Sequence, residues 1–182
     1  METESIALIG YRGSGKTAVA RALAARLGWD WVDADVEVEL RAGKSIAAIF
    51  ADDGETHFRD LEAIVVDLLA LRERTVIALG GGAILREVNR RTISRCGAVI
   101  WLQASVDTLQ QRIAADPSTA ARRPNLTASG GQAEITRLLA ERTPHYRACA
   151  TLEVDTEGKG PADIADEIVA ALGARGQSSD LS

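Results

Sequence analysis

IALIGYRGSGKT, residues 6–17, decides how the rest of the chain is read. Ile6-Ala7-Leu8-Ile9 is an unbroken apolar run that stops at a glycine, the pattern of a strand buried on both faces. Gly10-Tyr11-Arg12-Gly13-Ser14-Gly15-Lys16-Thr17 then fits G-x-x-x-x-G-K-[ST], the spacing of a P-loop. Val19, Leu23 and Leu27 follow at helical spacing with Gly28 as a stop, so a helix is expected over 18–27. Strand, glycine-rich turn and helix form the context that gives the motif its meaning. Glycines let backbone N–H groups converge on phosphate oxygens, and the helix presents its positive end. Lys16 is placed to reach the β- and γ-phosphates and Thr17 to hold Mg²⁺. Gly13, Ser14, Gly15, Lys16, Thr17 and Ala18 are therefore the expected nucleotide-binding set. The motif points to a nucleoside triphosphate and is silent about the phosphoryl acceptor.

Outward from this stretch, short apolar runs alternate with longer segments of helical period. Strands are expected at 29–32, 75–79, 98–102 and 151–154. Helices are expected over 36–72 with breaks near Gly43 and Gly54, after Gly80-Gly81-Gly82, over 106–115, from Gln132 to about Arg147, and from Pro161. Alternation of this kind argues for an α/β fold with a parallel sheet covered on both faces, and ligands in such folds bind beyond the carboxyl ends of the strands. Residues 116–131 are rich in Pro, Ser, Thr, Arg and Gly and read as a mobile lid; 173–182 read as a polar, disordered tail. Residues 1–172 are expected to form one domain.

The 182 residues carry 21 Lys+Arg and 26 Asp+Glu, a net charge of −5, which gives no general attraction to nucleic acid or anionic membrane. With only 4% aromatic residues, the core must rest on Ala, Leu, Val and Ile. Two cysteines, Cys96 and Cys149, are too few for a disulfide framework and read as small buried apolar residues. No signal peptide or spanning stretch is evident, so a cytoplasmic monomer is expected.

Several clusters after strands can carry chemistry. Asp33 and Asp35 end the second strand and can divide the labour, one beside the metal and one at an acceptor hydroxyl; alternatively Asp35 only caps a helix. Arg59 and Arg142 are candidates for a bidentate grip on a carboxylate, although spacing does not make them converge and Glu62 can serve Arg59 as an ion-pair partner. Gly80, Gly81 and Gly82 permit close approach of backbone to a ligand or simply a tight turn. Arg122-Arg123-Pro124, within the lid, can deliver a guanidinium to a transferring phosphate. His57 and His145 lack metal-ligand spacing, and Trp29, Trp31 and Trp101 are expected in the core.

Taken in order, these residues resemble the shikimate kinase family from Ile6 to about Leu172. The carriers are the P-loop, Asp33-x-Asp35, Gly54-Glu55-x-x-Phe58-Arg59-x-x-Glu62, Gly80-Gly81-Gly82, Arg123-Pro124, Arg142-x-Pro144-x-Tyr146 and Asp155-Thr156. The resemblance implies a three-layer P-loop kinase fold of the nucleoside-monophosphate-kinase type, with a five-stranded parallel sheet and a lid. It implies transfer of the ATP γ-phosphoryl group to the 3-hydroxyl of shikimate, in the route to chorismate and the aromatic amino acids. Lys16 would then contact the transferring phosphate, Thr17 and Asp33 would serve Mg²⁺, and Asp35 would bind the acceptor hydroxyls. Arg59 and Arg142 would clamp the shikimate carboxylate, with Gly80, Gly81 and Gly82 near the ring. Arg123 would act with Lys16 and Asp35 in catalysis, while Arg112 and Lys159 would lie on the nucleotide side. The chain departs from the family pattern at Asn125, where the lid motif has leucine, and at Lys159, where arginine is commoner. The rival readings are a gluconate or nucleoside monophosphate kinase, a GTP-dependent switch, which usually carries Asn-Lys-x-Asp, and a noncatalytic nucleotide-binding domain.

Overall fold

The structure, a computed structural model, describes residues 3–116 and 131–179. Its chain order is β1 (Thr3–Ile9), α1 (Lys16–Leu27), β2 (Asp30–Asp33), α2 (Ala34–Ala42), α3 (Ile46–Asp52), α4 (Gly54–Ala70), β3 (Thr75–Ala78), a short 3₁₀ turn (Ala83–Leu85), α5 (Glu87–Ile93), β4 (Cys96–Gln103), α6 (Val106–Ala115), α7 (Gln132–Cys149), β5 (Leu152–Asp155) and α8 (Pro161–Ser179). The five strands form one sheet in the order β2-β3-β1-β4-β5. All pairings are parallel, with Ala7 opposite both Ile77 and Val99.

Because successive strand residues point to opposite faces, β1 feeds two cores. Ala7 and Ile9 face a cluster with Val38, Phe58, Val66 and Leu69 from α2 and α4. Ile6 and Leu8 face the other side, against Val19 and Leu23 of α1 and Ile164 and Ile168 of α8. Fully burying one such side chain contributes roughly 1.5–3 kcal/mol, so this two-sided packing anchors the central strand. The P-loop leaves from its carboxyl end. A third cluster, Tyr11, Leu109, Ile135 and Leu138, pins that loop to α6 and α7.

Three expectations are corrected. Trp31 is 42% exposed rather than in the core, whereas Trp101 is buried. The reason is that β2 is an edge strand, whose only buried residue is Val32. The expected tail instead continues α8 to Ser179; extending a packed helix needs no new nucleus, so Gly173 and Gly176 do not stop it. Cys96 is buried as expected, but Cys149 is only half-buried. Burial pushes both thiols up from their ordinary range.

Candidate functional site

Sterics alone explain why the first P-loop residue is glycine. Gly10 has φ +143°, and a Cβ there would lie 2.5 Å from the Leu102 carbonyl oxygen. From the α1 end, the Lys16 Nζ arches back and donates to the carbonyls of Gly10 and Tyr11, each at 2.9 Å. Gly15 stands at the N-cap of α1 in the left-handed region. Gly13, Gly15, Lys16, Thr17 and Ala18 line a cleft of about 510 Å³. Ser14 does not: it is 1% exposed, with its hydroxyl buried beneath the loop.

Two carboxylates face this loop. Thr17 Oγ1 donates to Asp33 Oδ2 at 2.6 Å, while Asp33 Oδ1 accepts the N–H of Asp35 at 2.9 Å. Asp33 therefore caps α2, the role the sequence left open for Asp35. Asp35 sits in the first turn of α2 and lines the cleft.

On the far side of the cleft, β3 ends at the glycine triplet, and Gly80 and Gly81 line the wall. Arg142, on the buried face of α7 and 7% exposed, donates to the Gly81 carbonyl at 3.3 Å. Tyr146, one turn further along, donates its hydroxyl to the same oxygen at 2.6 Å. Arg59 of α4 lies against Gly82, where a Cβ would meet both terminal guanidinium nitrogens at 2.7 Å. Its Nη1 donates to Glu62 Oε2 at 2.7 Å. Arginines 83 positions apart are thus brought to adjacent glycines, a convergence that spacing could not reveal.

A family model described as shikimate kinase matches residues 12–173. The chain belongs to the shikimate kinase family. It is 42% identical to a shikimate kinase of Rhodopirellula baltica over 182 residues, 100% of this chain and 97% of that protein. A solved shikimate kinase from Acinetobacter baumannii in complex with shikimate matches with a TM-score of 0.89 at 34% identity, covering 95% of this chain and 94% of that one. A gluconokinase from Sinorhizobium meliloti matches with a TM-score of 0.57 at 18% identity, covering 99% of this chain and 97% of that one, and shares the fold alone. The expected three-layer fold with its five-stranded parallel sheet and the family therefore stand, and the chain is an ATP-dependent kinase. The lid expected at 116–131 falls almost wholly outside the described residues.

Within this shikimate kinase fold, the remaining candidates separate. Arg112 lines the cleft and donates to the hydroxyl and carbonyl of Thr156, each at 2.9 Å. Thr156 is itself buried and donates to the Gln103 carbonyl at 2.8 Å, so Thr156 anchors Arg112 at the sheet end. Next to it, Glu157 accepts the Ser105 N–H and the Thr108 hydroxyl, which together hold its carboxyl below the usual range. Lys159 donates to Glu167 at 2.6 Å and is not among the cleft-lining residues. Arg122, Arg123, Pro124 and Asn125 lie outside the described residues.

Sequence reasoning passed over Arg12, Trp31 and Val36, all of which line the cleft. Arg12 carried a signal, being a charge inside the P-loop; Trp31 and Val36 carried none, since exposure there comes from the sheet order. As to metal, Thr17 and Asp33 present two hard oxygens beside the P-loop lysine. That set suits Mg²⁺, which takes few protein ligands and completes its shell with water and phosphate. Among the described residues no cluster of three or more His, Cys, Asp or Glu offers a rival all-protein cage.

Proposed function

We propose that the chain transfers the γ-phosphoryl group of ATP to the 3-hydroxyl of shikimate, giving shikimate 3-phosphate and ADP. The observation that carries this reading is the meeting of Arg59 and Arg142 at Gly81 and Gly82, beside a P-loop cleft. Two guanidinium groups on one glycine segment match a carboxylated acceptor held next to the nucleotide. The Acinetobacter baumannii relative was solved with shikimate. A neutral sugar would make no use of that pair, and the acceptor panel below separates a carboxylate from a phosphate, which guanidinium groups also grip.

Lys16 reaches the transferring phosphate from inside the loop. Gly13, Ser14, Gly15 and Ala18 supply backbone N–H groups to the phosphates, and Arg112 packs on the nucleotide side. Lys159 is read as a second, outer basic residue there. Mg²⁺, held through Thr17 and Asp33, would neutralise charge on the phosphates. Arg59 and Arg142 fix the shikimate carboxylate, Gly80 to Gly82 lie near its ring, and Asp35 orients or accepts the proton of the attacking hydroxyl. As the new O–P bond forms, the bond from the γ-phosphorus to the bridging oxygen breaks, and the electron pair leaves with ADP. The reading assigns to Arg123 a guanidinium contact with the phosphates. Such transfer asks for positioning and charge stabilisation rather than covalent help.

We read residues 1–172 as one kinase domain of a cytoplasmic monomer, with neither nucleic acid nor membrane as partner. The net charge of −5 supports this, as does a chain whose described residues include no helix long and apolar enough to cross a membrane. The test is a coupled ADP-release assay with ATP and Mg²⁺ against shikimate, gluconate and nucleoside monophosphates. Turnover is expected with shikimate. Turnover confined to another acceptor sinks the reading.

A further inference from the structure

The P-loop and α7 are joined by a buried ion pair that the phosphoryl-transfer chemistry does not use. Arg12 Nη2 lies 3.4 Å from Glu134 Oε1, with side-chain exposures of 13% and 0%. Glu134 stands in the first turn of α7, on the same buried face as Leu138, Arg142 and Tyr146. A carboxylate removed from water persists only where a partner compensates it. Arg12 is a partner supplied by the nucleotide loop.

That loop reaches Arg142 by a second route. The guanidinium carbons of Arg12 and Arg142 lie 5.9 Å and 5.4 Å from the centroid of the Tyr11 ring. This residue is 2% exposed and packs on Ile135 and Leu138, which follow Glu134 along α7. The Tyr11 carbonyl accepts from Lys16 Nζ, and the Arg12 backbone N would lie 3.2 Å from a Cβ on Gly81, whose carbonyl accepts from Arg142. Glu134, Arg12, Tyr11 and Arg142 therefore form one contiguous packed unit between the two halves of the cleft.

We propose that Glu134 is a positioning residue for the acceptor site: by anchoring Arg12 it holds the start of α7 against the P-loop and so sets where Arg142 meets its substrate. This inference rests on the reading of Arg142 as part of the carboxylate clamp. The experiment is steady-state kinetics on the wild type, Glu134→Gln, Arg142→Ala and the double variant. Glu134→Gln is expected to raise the KM for shikimate about tenfold, within the range of ordinary site-to-site coupling, and the KM for ATP by less than about threefold. Sites acting through one another are non-additive, so in the Arg142→Ala background the same substitution adds less than about twofold. A full multiplication of the two effects, or a KM for ATP rising in step with that for shikimate, overturns the proposal. Should Glu134→Gln lose its cooperative melt, Arg12→Met with Glu134→Leu replaces both charges by apolar groups, the change that buried pairs tolerate best. This folded variant is expected to show the same split, and an unchanged KM for shikimate overturns the proposal. Wild-type turnover of shikimate, measured in the same series, separates failure of this inference from failure of the functional reading.

Discussion

On the proposed reading Lys16 serves the nucleotide half of the site and Arg142 the acceptor half, and the two are held in place by different means. Lys16 is fixed by carbonyls five and six residues away, within a single turn of its own chain. Arg142 is fixed by the Gly81 carbonyl, 61 positions distant, and belongs to a helix that approaches from the far side of the glycine triplet. The nucleotide half is a local structure that one contiguous motif specifies. The acceptor half exists only after α4, α7 and the β3 end have packed. Function in the first is tied to backbone conformation and in the second to tertiary assembly, so the two halves should fail independently.

The largest effect should come from removing a buried member of the acceptor half. Arg142→Ala is expected to cost about 2–5 kcal/mol of shikimate binding, read as a rise in the KM for shikimate with the KM for ATP nearly unchanged. Equal effects on both would erase the distinction between the halves. In the nucleotide half, Lys16→Met should lower kcat by about 10²–10³, the scale for losing one preorganised charge-stabilising donor. Calorimetry should then show shikimate still binding; loss of that binding would join the halves. Gly82→Ala tests the acceptor half without replacing a charged residue. Its Cβ would meet the far end of the Arg59 side chain, which can move only by loosening its pair with the buried Glu62, so a modest fall in melting temperature should accompany it. The displaced guanidinium should raise the KM for shikimate about tenfold, since small misplacements of positioning groups cost catalysis disproportionately. An unaltered KM would take Arg59 out of the clamp.

The smallest effect concerns the loop behind Arg112. Glu157 has its carboxyl held below the usual range chiefly by the Ser105 N–H. A depressed folded value means a stabilisation that is present at neutral pH. It begins to fade below the ordinary glutamate range and is lost as the pH falls through the folded value. Melting curves of the wild type and Glu157→Gln should therefore differ at neutral pH and draw together in acid. A constant difference would show that the carboxylate charge contributes nothing there.

The same contrast governs how much could be read from the chain alone. All five strands were legible to within a few residues: β1, β3 and β4 because a strand buried on both faces must be written as an apolar run, and the edge strands β2 and β5 from shorter apolar stretches between helical segments. Gly10, Lys16 and Thr17 were legible for a similar reason, since the phosphate cradle is a local backbone shape. Asp33 was found as a candidate, but not its double attachment to Thr17 and Asp35, which needs β2 and α1 side by side. Arg59 and Arg142 were nameable only as two arginines, each with a surface alternative. Arg12 and Glu134, 122 positions apart, share no pattern that periodicity can register. Trp31 misled because its hydrophobicity says nothing about which strand lies at the sheet edge.

That exposed edge has an optical consequence. Of the three tryptophans, Trp31 is the one that both faces solvent and borders the cleft, a neighbour of Asp33 and Ala18 in its lining. Trp101 is shielded within the sheet, and Trp29 packs against the α1 side of the core. A bound molecule that fills the cleft should displace water from the Trp31 indole, the one tryptophan in its lining. The edge strand thus places an intrinsic fluorophore at the mouth of the cleft, whose emission colour should follow occupancy with no label attached.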